Sequence, residues 1–243
     1  MSLSWECAFA RGEPAGQKAL ACTSAIVSIG LLESPLLAAA IEAGDDGFAS
    51  QIAVKMSTEA ILTAGFDAFR DSESSPEPIE LIKAGFKTAN DKVYEYSHRM
   101  AAGGTFAAKA IVAAIDHERV TLGQLGGCEG FLLRDGTLLS FYQSSTIEPG
   151  APRDALLARF IGANVKIAVD MSSMDAEIGD RIAICTRALG AEKREILAAV
   201  LAEADNAKEA ANEIAARCLT SSAHVGDSFV RPMVFVFFAF NEN

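Results

Sequence analysis

Histidine, cysteine and positive charge are all sparse in this chain, and each shortage closes off a class of function. The three histidines, His98, His117 and His224, lie far apart and never at metal-ligand spacing, so no zinc site can be assembled from neighbouring residues. Five cysteines (Cys7, Cys22, Cys128, Cys185, Cys218) are scattered without a C-x-x-C pair. An odd count in apolar surroundings reads as buried thiols rather than a disulfide framework. Lys and Arg number 21 against 32 Asp and Glu, a formal net charge of -11. A general nucleic-acid surface needs a basic footprint, and docking on anionic membranes needs one too, so neither partner is expected. The most apolar runs, 19–32 and 233–240, fall short of the roughly 18 uninterrupted apolar residues of a spanning helix. The first residues carry neither a basic region nor a hydrophobic stretch, so no signal peptide is read and a cytoplasmic location is expected. No phosphate-cradling glycine-lysine loop, dinucleotide glycine fingerprint, nucleophile elbow or zinc-protease pair occurs.

What is present is enough apolar material for a large core. Half of the 243 residues are hydrophobic and 22% are charged, which suits one domain over 1–243. Trp5, Cys7 and Phe9 alternate with polar or small residues, the period of a half-buried strand. Residues 19–29 read as a second strand. Ser34-Pro35 looks like a helix start, which predicts a short helix ending near Gly44. A longer helix is predicted from Asp46 to Gly65, with Ile52 and Met56 on its buried face. Residues 71–78 form a loop, after which Ile79, Ile82, Phe86, Ala89 and Val93 recur at helical spacing. From Thr105 the texture changes to strands: 110–115, 120–125, 131–133 and 137–142, with the hairpin dipeptide Asp135-Gly136. A short helix over 154–161, strands over 165–169 and 181–185, helices over 192–203 and 206–218, and a long strand over 230–240 complete the order. Strand and helix do not alternate, so antiparallel sheets with helices outside are expected rather than a doubly wound parallel sheet. Val27, Ile29, Phe131, Leu133, Ile182, Ile184, Val234 and Val236 are the expected inner faces of two packed sheets.

One spacing invites a catalytic reading. Cys128 and Arg134 stand as C-x5-R, the spacing in which a thiolate attacks phosphorus while an arginine clamps its oxygens. That chemistry needs a loop with inward-turned N–H groups, whereas 129–133 reads as a strand entering a hairpin, so a buried structural cysteine is expected.

Several segments, colinear over nearly the whole chain, resemble the type 2C (PPM) metal-dependent Ser/Thr protein phosphatases. Residues 81–94, with Ala84-Gly85-Phe86 and Ala89-Asn90-Asp91-Lys92, are similar to the family's second long helix. Gly103-Gly104-Thr105-Phe106 resembles its glycine-threonine strand entry, and 125–136 (LGGCEGFLLRDG) its GDSR strand and hairpin. Residues 178–189 (IGDRIAICTRAL) resemble the Gly-Asp-Arg strand that ends in Ser-Asp-Gly-Leu, and 224–238 the closing Asp-Asn strand. Ala49-Ser50 resembles the Ala-Ser of the first long helix. The resemblance implies an α+β fold, an α-β-β-α sandwich of two antiparallel sheets. It also implies aspartates at the sheet edges that hold two Mg²⁺ or Mn²⁺ ions, which activate a water against phosphoserine or phosphothreonine.

Carried over residue by residue, the resemblance implies a degenerate site. Lys18 falls on a metal aspartate. Ile29, followed by Gly30, falls on the central ligand of Val-Ala-Asp-Gly. Gly127 replaces the aspartate of the GDSR strand, and Arg187 with Ala188 replaces the later Asp-Gly. Asp227 is the retained candidate ligand. The phosphate-binding arginine has no clear counterpart, with Arg11 close by and the register pointing to Glu13. Asp45-Asp46 reads as a helix N-cap with acidic first-turn charge, or as a displaced ligand pair. The expectation is a pseudophosphatase without bound metal that engages a protein or phosphoprotein. The alternative is an active Mg²⁺ or Mn²⁺ phosphatase with rearranged ligands. In the degenerate reading, Lys18 and Arg187 gather around Asp227 and carry part of the metals' electrostatic role.

Overall fold

A computed structural model of the chain describes residues 3–12, 24–28, 36–44, 47–71, 77–100, 106–116, 118–142, 159–219 and 232–241. Ten strands and four helices are found among them. In chain order they are β1 (Leu3–Arg11), β2 (Ser24–Ser28), β3 (Leu36–Ala43), α1 (Phe48–Asp71), α2 (Pro78–Arg99), β4 (Ala108–Ile115) and β5 (Arg119–Leu125). Then come β6 (Glu129–Arg134), β7 (Thr137–Ser140), β8 (Asp170–Asp175), β9 (Arg181–Cys185), α3 (Ala191–Glu203), α4 (Ala207–Cys218) and β10 (Met233–Asn241). One sheet runs β1-β10-β9-β6-β7 and the other β2-β3-β4-β5-β8. Every pairing is antiparallel. Helices α1 and α2 cover the second sheet, and α3 and α4 cover the first.

The layers generate three apolar cores, one beneath each helix pair and one between the sheets. The inter-sheet core takes Ile111, Ile115 and Leu122 from one side and Ile182, Ile184, Phe235 and Phe237 from the other. The rings of Phe235 and Phe237 lie nearly parallel, with centroids 6.0 Å apart. Phe131, Leu133, Val234 and Val236, expected between the sheets, point the other way and pack under α3 and α4. Strands buried on both faces carry apolar residues at every position, so alternation cannot say which face is which. The side chain of Val27 and the whole of Ile29 lie outside the described residues.

Where a short helix ending near Gly44 was expected, Leu36–Ala43 is a strand. Its run Leu-Leu-Ala-Ala-Ala-Ile-Glu-Ala is rich in helix formers, but packing decides otherwise. Ala38 and Ala40 enter the inter-sheet core while Leu37, Ala39, Ile41 and Ala43 meet the helices. Likewise the strand expected over 165–169 does not form there; those residues are irregular, and the strand paired with β5 follows at Asp170–Asp175. The first long helix runs past Gly65 to Asp71.

Helix α2 forms as its periodicity predicts. Pro78 occupies the first turn, and Leu81, Ile82, Phe86, Ala89 and Val93 are buried along one stripe, the pattern of a helix lying on a sheet. It lies close to β5: a Cβ on Gly123 would stand 2.4 Å from Ile82 Cγ2. Ile52 and Met56 of α1 pack into the same layer, as expected. Among the described residues no helix is long and apolar enough to cross a membrane.

Candidate functional site

The register of the two sheets gathers the ends of six strands at one end of the sandwich. In the second sheet Glu42 on β3 is paired with Lys109 on β4, and Ala110 with Leu125 at the end of β5. In the first sheet Cys185, the last residue of β9, faces Glu129 at the start of β6 and Val234 near the start of β10. The turn from β5 to β6 crosses between the sheets, with Gly126 and Gly127 both at positive φ (89° and 78°), a backbone that glycine adopts without strain.

Glu42 is the centre of this end. It is 1% exposed, and an unpaired carboxylate there would carry a desolvation cost of several kcal/mol. Lys109 Nζ lies 2.9 Å from its Oε1, and Arg187 Nε lies 3.5 Å from the same oxygen. The Thr186 hydroxyl donates to Oε2 and accepts from the Met233 N–H at 2.9 Å. One carboxylate is therefore held by an ammonium, a guanidinium and a hydroxyl drawn from both sheets. Lys109 and Arg187 remain partly open to solvent, at 15% and 24% of their side chains.

Cys128 closes the cluster from the turn. Its thiol donates to the carbonyls of Leu125 (3.7 Å) and Thr186 (3.8 Å). Burial pushes its pKa up to about 12, opposed by Lys109 and assisted by Glu42 and Glu129. A nucleophilic cysteine needs the reverse, a thiolate stabilised at neutral pH. Arg134 belongs to another cluster: its Nε and Nη2 fork onto Asp180 at 2.8 and 2.6 Å. The C-x5-R pair is thus two structural residues, as the strand reading of 129–133 implied.

Of the residues singled out in the sequence, Gly127 and Arg187 are placed at this end of the sandwich. Gly127 lies in the turn beside Cys128, and Arg187 on Glu42. Lys18, Ile29, Gly30 and Asp227 lie outside the described residues, as do Asp45, Asp46 and Glu13. Arg187 does clamp a carboxylate, but the partner seen is Glu42, which the sequence reading left out. Lys109 and Thr186 were missed with it. The available signal was one acidic residue inside an apolar run, with a lone lysine opposite in 106–115, and it becomes visible only once 36–43 is taken as a strand.

The described part of this end does not fit a pair of divalent ions. Hard cations of this kind are held by several anionic oxygens, and no group of three or more His, Cys, Asp or Glu able to hold a metal occurs among the described residues. The one carboxylate at the centre is already neutralised by two cations, which would repel an incoming dication.

Comparison with solved structures identifies the architecture. The catalytic domain of the serine/threonine phosphatase PstP, in complex with two manganese ions, is 18% identical to this chain. The match covers 99% of each, with a TM-score of 0.68. The PPM Ser-Thr phosphatase MsPP from Mycobacterium smegmatis, in complex with cacodylate, is 16% identical over 98% of both chains, at 0.64. Stp1 from Staphylococcus aureus is 11% identical over 99% of this chain and 96% of its own, at 0.69. No family model matches the sequence, and neither does any curated protein. At these identities the likeness is one of fold. This chain has the PPM phosphatase fold, two antiparallel sheets flanked by helices.

Proposed function

We propose that this chain is a pseudophosphatase: a phosphatase-fold domain that does not hydrolyse phosphate esters and acts by engaging a protein or phosphoprotein partner in signalling. The observation that carries the reading is the pairing of Glu42 with Lys109 and Arg187. Where the PPM resemblance calls for acidic residues around two metal ions, the described residues supply one buried carboxylate and two cations. Fixed side-chain charges here neutralise Glu42, the task a metal ion performs in a carboxylate site. They bring no coordinated water and so no nucleophile for phosphorus.

Titration calorimetry with Mn²⁺, run beside a generic phosphate-ester assay with added Mn²⁺, tests this. No heat of binding and no turnover are expected. The alternative, an active phosphatase with a rebuilt ligand set, draws on the presence of the buried carboxylate Glu42 at this end. Turnover that Glu42→Ala abolishes would establish that alternative and overturn the proposal.

A further inference from the structure

Away from the Glu42 cluster, a cavity of about 450 Å³ opens between α2 and the segment leading into β8. Its size falls within the range of small-molecule sites, roughly 300–1,000 Å³. Two chemistries meet in it. Ile167, Val169 and Met171 supply an apolar wall, and Lys83, Lys87 and Lys166 line the same cavity together with a single acidic residue, Asp91. These are three of the nine lysines in a chain of net charge -11, so the concentration of positive charge is local.

The wall is built before any ligand arrives. Asn90, 2% exposed in the middle of α2, donates through Nδ2 to the carbonyls of Asn164 (2.9 Å) and Val165 (3.3 Å). Its Oδ1 accepts from the Gly162 N–H at 2.9 Å. Gly162 has φ +86°, and a Cβ there would stand 2.3 Å from Val93 Cγ1. The segment is therefore fixed to the helix, and little conformational entropy remains to be lost on binding. Lys83 pairs with Glu80 at 2.9 Å and Lys87 with Asp91 at 2.7 Å, Asp91 half-buried and the other three exposed. Such neighbouring-turn pairs are weak, so an anion can share or displace them. Lys166 is exposed and makes no ion pair with a described residue.

We propose that this cavity binds a small amphipathic anion, a carboxylate or sulfate head on a linear hydrocarbon tail, with the head at the lysines and the tail along Ile167, Val169 and Met171. An inorganic anion would leave the apolar wall uncovered, and an apolar cation would meet like charge at the opening. The proposal is independent of what the Glu42 cluster does.

The test is calorimetric titration of the full chain with decanoate, decyltrimethylammonium and acetate. Decanoate is expected to bind about tenfold or more tightly than the cation of equal tail length, with acetate undetected. The Lys87→Glu/Lys166→Glu variant changes only exposed side chains and so keeps the fold. It is expected to weaken decanoate about tenfold or more, the scale of losing charge-assisted contacts. Lys55→Glu/Lys208→Glu, with the same change in net charge on exposed positions of α1 and α4, is expected to leave decanoate binding unchanged. Decanoate binding no tighter than decyltrimethylammonium, no binding at all, or an equal loss in both double variants would each overturn the proposal.

Discussion

Glu42 and Lys109 are direct partners across β3 and β4, and their side chains close the pair at 2.9 Å where the carboxylate is almost wholly buried. Each residue makes the other tolerable. Lys109→Met is expected to destabilise the protein by about 3 kcal/mol, because it strips a buried carboxylate of its nearest charge. Glu42→Gln in the same background should recover much of that loss, since it removes the charge that was stranded. A double-mutant cycle in urea denaturation measures the coupling. Strict additivity of the two substitutions would show that the pair does not support this end of the sandwich.

Metal binding at this end of the sandwich would have a thermal signature. A ligand at 100 times its dissociation constant stabilises the folded state by about 2.7 kcal/mol. Mn²⁺ at millimolar concentration would therefore raise the melting temperature by several degrees if it bound with a micromolar constant near ten. No shift is expected for the wild-type chain. A shift that Glu42→Ala removes would identify Glu42 as a ligand rather than as the partner of Lys109 and Arg187.

Cys128 should behave as an inert thiol. Its pKa stands above the ordinary 9.0, at about 12, with burial as the first cause. The folded state thus keeps this proton over a range where the unfolded state has released it. The resulting contribution to stability is fully present below about pH 9 and is lost as pH rises toward 12. At about pH 8, where an exposed cysteine alkylates readily, peptide mapping after iodoacetamide treatment should find Cys128 unmodified in the native protein and modified once unfolded. Rapid native modification would mean that the β5–β6 turn opens.

Asn90 tests the fixing of the segment before β8. Asn90→Ala leaves the buried Gly162 N–H and two carbonyls without their partner, and a cost of about 2 kcal/mol is expected for polar groups stranded in this way. Amide hydrogen exchange should accelerate at 162–165 and not in β4 or β9. Uniform acceleration across the fold would point to a general loss of stability instead.

The parts of this architecture that could be read from sequence are those where one face differs from the other. Helix α2 has a polar side, so Ile82, Phe86 and Val93 announce its buried stripe. The hairpin at Asp135-Gly136 is fixed by turn chemistry, and both residues do take positive φ (50° and 73°). Legibility fails where both faces are buried. From Met233 to Phe240 every position of β10 is apolar, so Val234 and Phe235 could not be assigned to opposite cores by pattern. For β3 the alanines that allow close packing are also the best helix formers, and local propensity gave the wrong element.

The site was missed for a related reason. Ser34-Pro35 read as a helix start, and the family register placed the central ligand on Ile29, so Glu42 had no role in either reading. Its function depends on Lys109, 67 residues later in the chain, and on Thr186 and Arg187 beyond that. Only the sheet register brings them together.

The strand order also dictates how the molecule must come together. The second sheet draws on nothing beyond Asp175, and α1 and α2 already lie within that span, so half of the sandwich can assemble from contiguous chain. The first sheet cannot. Its β10 stands between β1 and β9, pairing Leu3 with Asn241 and Val234 with Cys185. Until β10 arrives, β1 has no partner among the described strands, and β9 presents one bare edge beside the inter-sheet core. Loop closure over so long a separation is slow. The interval before β10 docks is thus the stage at which this fold exposes an apolar sheet edge to other chains.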